Sequence, residues 1–256
     1  MALAPPPEEL PHVLISRVRV TPAVAELTLD PVGPALTYVP GQYVLVCDED
    51  YRIPVRSYSV ANAPDPSGRL TLLVTEVEGG ATSGWLTREV SVGDPVLVSG
   101  PYGTFVADPA TDSGSGRPVL GLAGGSGLAP IRALAQDAVC RGVPDPFTLF
   151  FSGRTEEDLI DRDVFLGWER AYANFRYLST LTRASGPPPV GRVDSVLPAL
   201  LPDLSAHEVF IAGAPGFVAA GVRTVRDLGC RPGRLHTEEF YAEPQPWGVE
   251  EAGGSR

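Results

Sequence analysis

Four consecutive residues, Arg56-Ser57-Tyr58-Ser59, combine side chains suited to an aromatic ligand that carries phosphate. The segment from Ile53 to Ala61 has strand-like composition. Arg56 offers a cation to a phosphate, Tyr58 an aromatic face to a ring, and Ser59 a hydroxyl to a polar ring edge. On a strand Arg56 and Tyr58 share one face and Ser59 points to the other, so side chains and backbone would hold the ligand together. The alternative is a surface Arg and a half-buried Tyr on an ordinary strand.

A second segment with possible chemistry is Gly79-Gly80-Ala81-Thr82-Ser83. Its glycines and hydroxyls stand at an expected helix start, where free backbone N–H groups and the helix dipole favour a pyrophosphate. A helix cap made by Thr82 or Ser83 is the simpler explanation.

Two further glycine segments each follow a predicted strand and precede a predicted helix. In Gly124-Gly125-Ser126-Gly127, Pro130 stands where the dinucleotide pattern Gly-x-Gly-x-x-Gly has its last glycine, and it suits the first helical turn. The loop can therefore present N–H groups to phosphate, although a turn that only packs strand against helix is the alternative. Gly213-Ala214-Pro215 repeats the pattern and allows a second close backbone approach to the same ligand.

The distribution of strand and helix patterns predicts two domains. Short β-rich runs separated by turn residues occupy the first half and predict a small antiparallel β-barrel at 10–108. A polar Gly/Ser stretch at 108–116 is typical of a linker. Strands then alternate with helix-length segments, which predicts an α/β domain with a parallel sheet at 117–241 and ligands at the carboxyl ends of its strands. We expect flexible ends at 1–9 and 242–256, the first because it is rich in proline.

Composition excludes several classes of function. The net charge of −11 argues against a nucleic-acid partner, which requires a basic face. No window is apolar enough for a membrane span, and the start lacks a signal-peptide pattern, so we expect a soluble, cytoplasmic protein. Cys47, Cys140 and Cys230 are too far apart for a metal or iron–sulfur site, and the three His residues form no cluster. We therefore expect no metal.

Eight collinear segments resemble the ferredoxin–NADP reductase superfamily, most of all the reductase components of bacterial oxygenase systems. The resemblance covers about residues 12–241. The segments are Pro40-Gly41-Gln42-Tyr43, Arg56 to Ser59, Gly79 to Leu86, Gly100-Pro101-Tyr102-Gly103, Ala123 to Pro130, Gly153-Arg154-Thr155-Glu156, Ala212 to Pro215, and Glu238-Glu239-Phe240.

The resemblance implies FAD on the barrel and a nicotinamide nucleotide on the second domain. It implies that Arg56 binds the pyrophosphate, that Tyr58 lies against the ribityl and isoalloxazine, and that Ser59 lies near flavin N5. Gly80 to Ser83 would complete the phosphate site. Ala212 stands where the family often has Cys, so the nicotinamide would be positioned more loosely.

Residues near the C-terminus and after two predicted strands complete the expected site. Glu238 is a candidate to steady the nicotinamide or relay a proton; an exposed carboxylate beside Glu239 is the alternative. Phe240, Tyr241 or Trp247 would cover the flavin face, or simply pack.

Arg154 and Thr182-Arg183 follow successive strands where the adenosine ribose would lie. An Arg there accommodates the 2′-phosphate of NADPH, whereas the carboxylates at 156–158 favour NADH, so the choice of nucleotide stays open.

The activity predicted from this sequence is hydride transfer from NADH or NADPH to FAD, followed by one-electron transfer to a separate ferredoxin or oxygenase (monooxygenase) component. The chain has neither the length nor the cysteines for the fused iron–sulfur domain of many oxygenase reductases, so an external acceptor is expected. Two alternatives are a flavin reductase that uses FAD or FMN as a diffusing substrate, and a non-catalytic flavin-binding subunit.

Overall fold

The first half of the chain forms an antiparallel sheet that curls into a barrel. The computed structural model describes residues 8–107, 117–142, 145–184 and 189–241. The six strands of the sheet are β1 (Glu8–Arg19), β2 (Val24–Pro31), β3 (Tyr43–Cys47), β4 (Arg56–Ser59), β5 (Leu70–Thr75) and β6 (Pro95–Tyr102). They lie in the order β4-β3-β6-β1-β2-β5. Val60 bridges Leu72, and the Ala61 N–H donates to the Thr71 carbonyl at 2.7 Å, so the two edges of the sheet meet.

A short helix, α1 (Ala81–Gly84), continues into one π-helical turn, Trp85–Glu89, between β5 and β6. Arg17 on β1 donates to the Val90 carbonyl at 2.5 Å at the end of this turn. Leu86 is fully buried in the barrel core with Leu14, Leu27 and Val98. The helix is therefore fastened to the barrel at both its apolar face and its C-terminal end.

The second half is a parallel sheet covered by helices. Its strands are β7 (Val119–Gly124), β8 (Phe147–Gly153), β9 (Phe175–Leu181), β10 (Glu208–Gly213) and β11 (Leu235–Glu239), in the order β11-β10-β7-β8-β9. The helices are α2 (Leu128–Cys140), α3 (Arg162–Ala171), α4 (Val193–Leu200) and α5 (Pro215–Asp227). The chain runs outward from β7 to β9 and then returns to place β10 on the other side of β7. The strand order thus reverses between β7 and β10, which is where such sheets bind ligands.

The two domains share an apolar interface. Phe105, just after the barrel, meets Phe210 of β10 edge to face, with ring centroids 5.3 Å apart. Val24, Ala61 and Leu73 of the barrel belong to the same buried cluster as α2 and the inner face of the parallel sheet. This continuous burial fixes the barrel against the nucleotide-type domain.

The predicted fold class, an antiparallel barrel followed by a parallel α/β domain, is confirmed. The expected N-terminal boundary differs. Residues 8 and 9, which we assigned to a flexible end, pair with Gly100 and Ser99 in β1. Proline has no backbone N–H to donate, but its carbonyl can still accept a hydrogen bond. Pro11 fits within β1 because its carbonyl accepts the Val32 N–H at 2.9 Å.

The last strand, β11, extends to Glu239 because it pairs in parallel with Val209 to Gly213 of β10. The expected linker at 108–116, residues 1–7 of the expected N-terminal end and the C-terminal end 242–256, with Trp247, lie outside the described residues. Within the described residues no helix has the length and apolar character needed to cross a membrane.

Candidate functional site

The Arg56-Ser57-Tyr58-Ser59 segment is a strand, β4, at the edge of the barrel sheet. Ser57 is exposed, Arg56 and Tyr58 are half-buried, and Ser59 is buried. Tyr58 packs against the barrel core, and burial raises the pKa of Tyr58 well above its usual value, although the nearby Arg56 opposes this in part. Tyr58 therefore stays neutral and presents a ring that is fixed on one side and open on the other.

The expected phosphate segment lies next to β4. The Thr82 hydroxyl donates to the carbonyl of Pro54, two residues before Arg56. Gly80 is the N-cap of α1, with no side chain capping the helix, and the Ser83 hydroxyl instead accepts the Val77 N–H at 3.1 Å. The expected helix start is present, but neither Thr82 nor Ser83 caps it.

Backbone geometry at this helix start suits close approach by a ligand. A Cβ at Gly80 would lie 2.6 Å from the Ser83 Oγ and 3.1 Å from the Val77 carbonyl oxygen, so a larger residue there would require Ser83 to move. The first N–H groups of α1, at 81–83, have no partner within the helix. Because Thr82 fastens this start to Pro54, these donors lie near the Arg56 strand and fit a pyrophosphate.

The glycine loop, residues 124–127, lies where the strand order of the parallel sheet reverses. Gly124 ends β7, and the loop forms a 3₁₀ turn from Gly125 to Gly127 that leads into α2. Pro130 lies in the first turn of α2, as predicted. The Ser126 hydroxyl accepts a hydrogen bond from Thr75 of the barrel at 2.8 Å, so this side chain joins the two domains.

Gly213-Ala214-Pro215 stands beside the glycine loop at the end of β10. A Cβ at Gly127 would lie 2.2 Å from the Ala212 carbonyl oxygen, so the two backbones touch. Ala214 is the N-cap of α5 and Pro215 is its first residue. The N-terminal ends of α2 and α5 thus point to one place, which is the arrangement that binds the phosphates of a dinucleotide.

Ser59 and Glu238 meet across the two domains. The Ser59 hydroxyl donates to Glu238 Oε2 at 3.3 Å. Glu238 lies on β11 opposite Ala212. Burial raises its pKa and the Ser59 hydrogen bond lowers it in part, so the pKa rises from 4.5 to about 7. Glu238 is half-buried, whereas its neighbour Glu239 is exposed, so the exposed-carboxylate alternative does not hold. The structure brings the two predicted catalytic side chains into direct contact.

Arg154, Thr182 and Arg183 lie together after β8 and β9. The Thr182 N–H donates to the Gly153 carbonyl at 3.0 Å and the Arg183 N–H to the Arg154 carbonyl at 2.9 Å. Arg154 forms an ion pair with Asp158 at 3.1 Å. Burial alone would raise the pKa of Asp158, but the Arg154 guanidinium and the N–H groups of residues 154 and 155 hold it below its ordinary value.

Phe240 follows β11, and its N–H donates to the Gly213 carbonyl at 2.9 Å. Its backbone is therefore fastened beside the second glycine segment, and its side chain is half-buried, while Tyr241 is exposed. Covering a flavin remains a prediction for both residues.

Comparison with known proteins identifies the family. Residues 12–106 match the oxidoreductase FAD-binding domain, and residues 122–223 match the oxidoreductase NAD-binding domain. Ferredoxin–NADP reductase B of Sorangium cellulosum is 35% identical over 232 residues, which are 86% of this chain and 93% of that protein. The chain belongs to the ferredoxin reductase family of FAD- and NAD-binding oxidoreductases.

Other members of this family are similar over the same region. Reductase component 1 of terephthalate 1,2-dioxygenase from Comamonas is 30% identical over 217 residues, covering 84% of this chain and 62% of that protein. The crystal structure of the Amycolatopsis cytochrome P450 reductase GcoB has a TM-score of 0.85 at 29% identity, covering 93% of this chain and 72% of that chain. The chain thus spans about three fifths of the length of the Comamonas relative.

Sequence reasoning missed the polar contacts that join the domains. Arg132 and Gln136 of α2 and Thr75 of β5 reach across the interface. One signal was available: Arg132 interrupts the otherwise apolar run Leu128 to Ala135. A charge in such a run indicates a buried partner.

Proposed function

We propose that the chain is an FAD-dependent NAD(P)H oxidoreductase that passes electrons singly to a separate ferredoxin or oxygenase component. The observation that carries this proposal is the Ser59–Glu238 contact. It joins the strand expected to hold a flavin to the strand beside the expected nicotinamide site. Two ligands held by these segments would face one another.

The residues of the barrel fit FAD. Arg56 would bind the pyrophosphate together with the N–H groups at 81–83, and Tyr58 would lie against the ribityl and ring. Gly80, the N-cap of α1, places no side chain beside these N–H groups. When bound, FAD would accept two electrons together as a hydride and release them one at a time.

Ser59 and Glu238 would manage hydrogen bonding and protons at the reacting end. The Ser59 hydroxyl, which donates to Glu238 here, can instead donate to a polar ring edge. Because the pKa of Glu238 is about 7, its carboxyl holds a proton in part of the population near neutral pH and can release it. Ser59 is buried and Glu238 is half-buried, so the pair is partly shielded from water.

The glycine loop and residues 213–215 would bind the nucleotide phosphates through backbone N–H groups. Arg154, Thr182 and Arg183 would line the ribose end. The hydride donor is NADH or NADPH, and the pairing of Arg154 with Asp158 favours the unphosphorylated ribose of NADH, since the guanidinium already has an anionic partner.

Related proteins support the choice of acceptor. The Comamonas relative is the reductase component of a terephthalate dioxygenase, and a Rhodococcus jostii relative, 29% identical over 232 residues, is that of a propane monooxygenase. A role with a separate oxygenase or ferredoxin component follows by similarity. We place the protein in the cytoplasm, a choice supported by three cysteines that are all free thiols.

The test starts from purified, desalted protein. We expect a yellow sample with about one FAD per chain, which NADH bleaches under anaerobic conditions and which a ferredoxin then reoxidises. A colourless sample that reduces added flavin would instead support a flavin reductase with diffusing flavin. Retained flavin that neither NADH nor NADPH bleaches would support a non-catalytic electron-transfer subunit and contradict the proposal.

A further inference from the structure

Three polar side chains along the glycine loop and α2 reach into the barrel. Ser126 accepts from Thr75 at 2.8 Å, and Gln136 accepts the Ala63 N–H at 3.0 Å. Between them Arg132 makes the most extensive contact. Side chains at 132 and 136 are one helical turn apart, so both project from the same face of α2.

Arg132 holds three segments at once. Its Nε donates to the Ala61 carbonyl at 2.7 Å, and its Nη1 donates to Glu26 Oε2 of β2 at 2.6 Å. The same Nη1 donates to Asp161 Oδ2, just before α3, at 2.5 Å. One guanidinium therefore joins the segment just after β4, the strand β2 and the residue before α3 to α2.

Burial makes this contact different from a surface ion pair. The Arg132 side chain is 11% exposed, and those of Glu26 and Asp161 are 28% and 22% exposed. Asp161 also adopts a left-handed backbone conformation, with φ of 56°, that is uncommon for a residue other than glycine. The guanidinium of Arg132 is planar and its N–H groups point in fixed directions, so it holds this junction rigidly.

Arg132 also lies close to both halves of the candidate site along the chain. Ala61 is two residues after Ser59, a span of at most about 7 Å. Gly127 is five residues before Arg132, which corresponds to a rise of about 7.5 Å in a helix. Because both spans are short, a displacement of Arg132 would move the glycine loop relative to β4.

We propose that Arg132 is a positioning residue for hydride transfer: its guanidinium sets the spacing between β4 and the glycine loop. The inference rests on the function proposed above. Arg132 touches neither the Arg56 strand face nor residues 80–83, so its loss leaves FAD binding intact. A displacement of about 1 Å between reacting groups costs on the order of 10²-fold in rate, so the effect appears in the chemical step.

The test compares two variants with a matched control on the same helix. Arg132→Lys keeps the positive charge between the carboxylates but loses the planar fork. The triple variant R132M/E26Q/D161N removes the charge and neutralises both carboxylates, so no buried charge is left unpaired. The control is Arg141→Met, because Arg141 pairs with Asp137 of its own helix.

For both Arg132 variants we expect retained FAD, an almost unchanged nucleotide Kd and a 10- to 100-fold lower limiting rate of anaerobic flavin reduction. The long-wavelength absorbance of the stacked nicotinamide–flavin complex should weaken in parallel. A purely structural role would be rescued in the triple variant, so wild-type rates there would overturn the proposal. Arg141→Met should behave as wild type, and an equal loss of rate in that variant would also overturn it.

A second readout needs no cofactor. Cys140 at the end of α2 is exposed, while Cys47 and Cys230 are buried, so Cys140 accepts a spin label selectively. A second label at Val92→Cys, 61% exposed on the barrel, reports the interdomain distance in the apoprotein. We expect one narrow distance distribution with Arg132 and a broader or shifted one in both variants; an unchanged distribution would overturn the proposal.

The two proposals fail in different ways. If neither nucleotide reduces the flavin of the wild-type protein, the proposed function fails, and the spin-label distances still decide whether Arg132 sets the spacing. If the wild-type protein is reduced rapidly and both Arg132 variants match it, the positioning role alone fails.

Discussion

Replacing Glu238 with Gln should change how the stability of the apoprotein depends on pH. Glu238 is half-buried at the domain interface, and among the described residues the Ser59 hydroxyl donates to its carboxyl. Burial raises its pKa from 4.5 to about 7. Gln has nearly the same shape and accepts the same hydrogen bond, but it does not titrate.

The size and sign of the effect follow from these two pKa values. Between pH 4.5 and 7 the folded protein holds a proton on Glu238 that the unfolded chain has released. The carboxyl therefore adds stability that is fully present below about pH 4.5 and is lost as the pH rises through 7. At about 1.36 kcal/mol per pKa unit the whole effect is about 3 kcal/mol, of which most falls between pH 5 and pH 8.

Urea unfolding at pH 5, 6, 7 and 8 measures this difference. Relative to the Gln variant, the wild-type protein should lose about 2–3 kcal/mol of unfolding free energy from pH 5 to pH 8. Comparison of the two proteins cancels the titration of other groups. Glu239→Gln, at the exposed neighbour, is the control and should follow the wild-type profile. Parallel profiles for wild type and Glu238→Gln would refute the assignment of a buried, protonatable carboxyl.

Three further changes have defined outcomes. Gly127→Ala places a Cβ 2.2 Å from a backbone oxygen of β10 and should lower stability by about 1–3 kcal/mol or more in urea unfolding, whereas Gly216→Ala, with open space around it, should not. Arg56→Gln should raise the Kd for FAD by about 10- to 100-fold in fluorescence titration, because a charge-assisted hydrogen bond contributes about 1.5–3 kcal/mol; Arg52→Gln should change it little. Burial lowers the pKa of His12 below 6.5, so the unfolded chain binds a proton that the folded protein does not, and stability falls as the pH drops below 6.5; His12→Leu should remove that component of the urea-unfolding profile.

Local patterns predicted most strands and helices. The short β-rich runs of the first half predicted the antiparallel barrel, and the alternation of strand and helix patterns in the second half predicted the parallel sheet. The strand expected from Ile53 to Ala61 is shorter, Arg56–Ser59, because Asp48 accepts the Ile53 N–H at 2.6 Å and holds the preceding residues in a loop. A hydrogen bond to a side chain several residues away does not alter the pattern of apolar and polar residues, so this pattern does not predict it.

The meeting of distant segments was beyond local patterns. Ser59 and Glu238 are 179 positions apart, and Arg132 and Ala61 are 71 apart. The order of the glycine segments suggested a shared ligand, but not that Ser126 would bond Thr75 of the barrel. Contacts across a domain interface depend on how two folded surfaces meet, and the sequence of either surface alone does not determine that.

Anaerobic stopped-flow reduction of the bound FAD by NADH deuterated at the transferred C4 position tests the central claim most directly. The claim is that β4 and the glycine loop hold a flavin and a nicotinamide in contact. We predict rapid bleaching of the flavin with NADH and a slower rate with the deuterated donor, since hydride passes directly between the two rings. Absence of bleaching with both NADH and NADPH, or bleaching only after FAD has dissociated from the protein, would contradict the account.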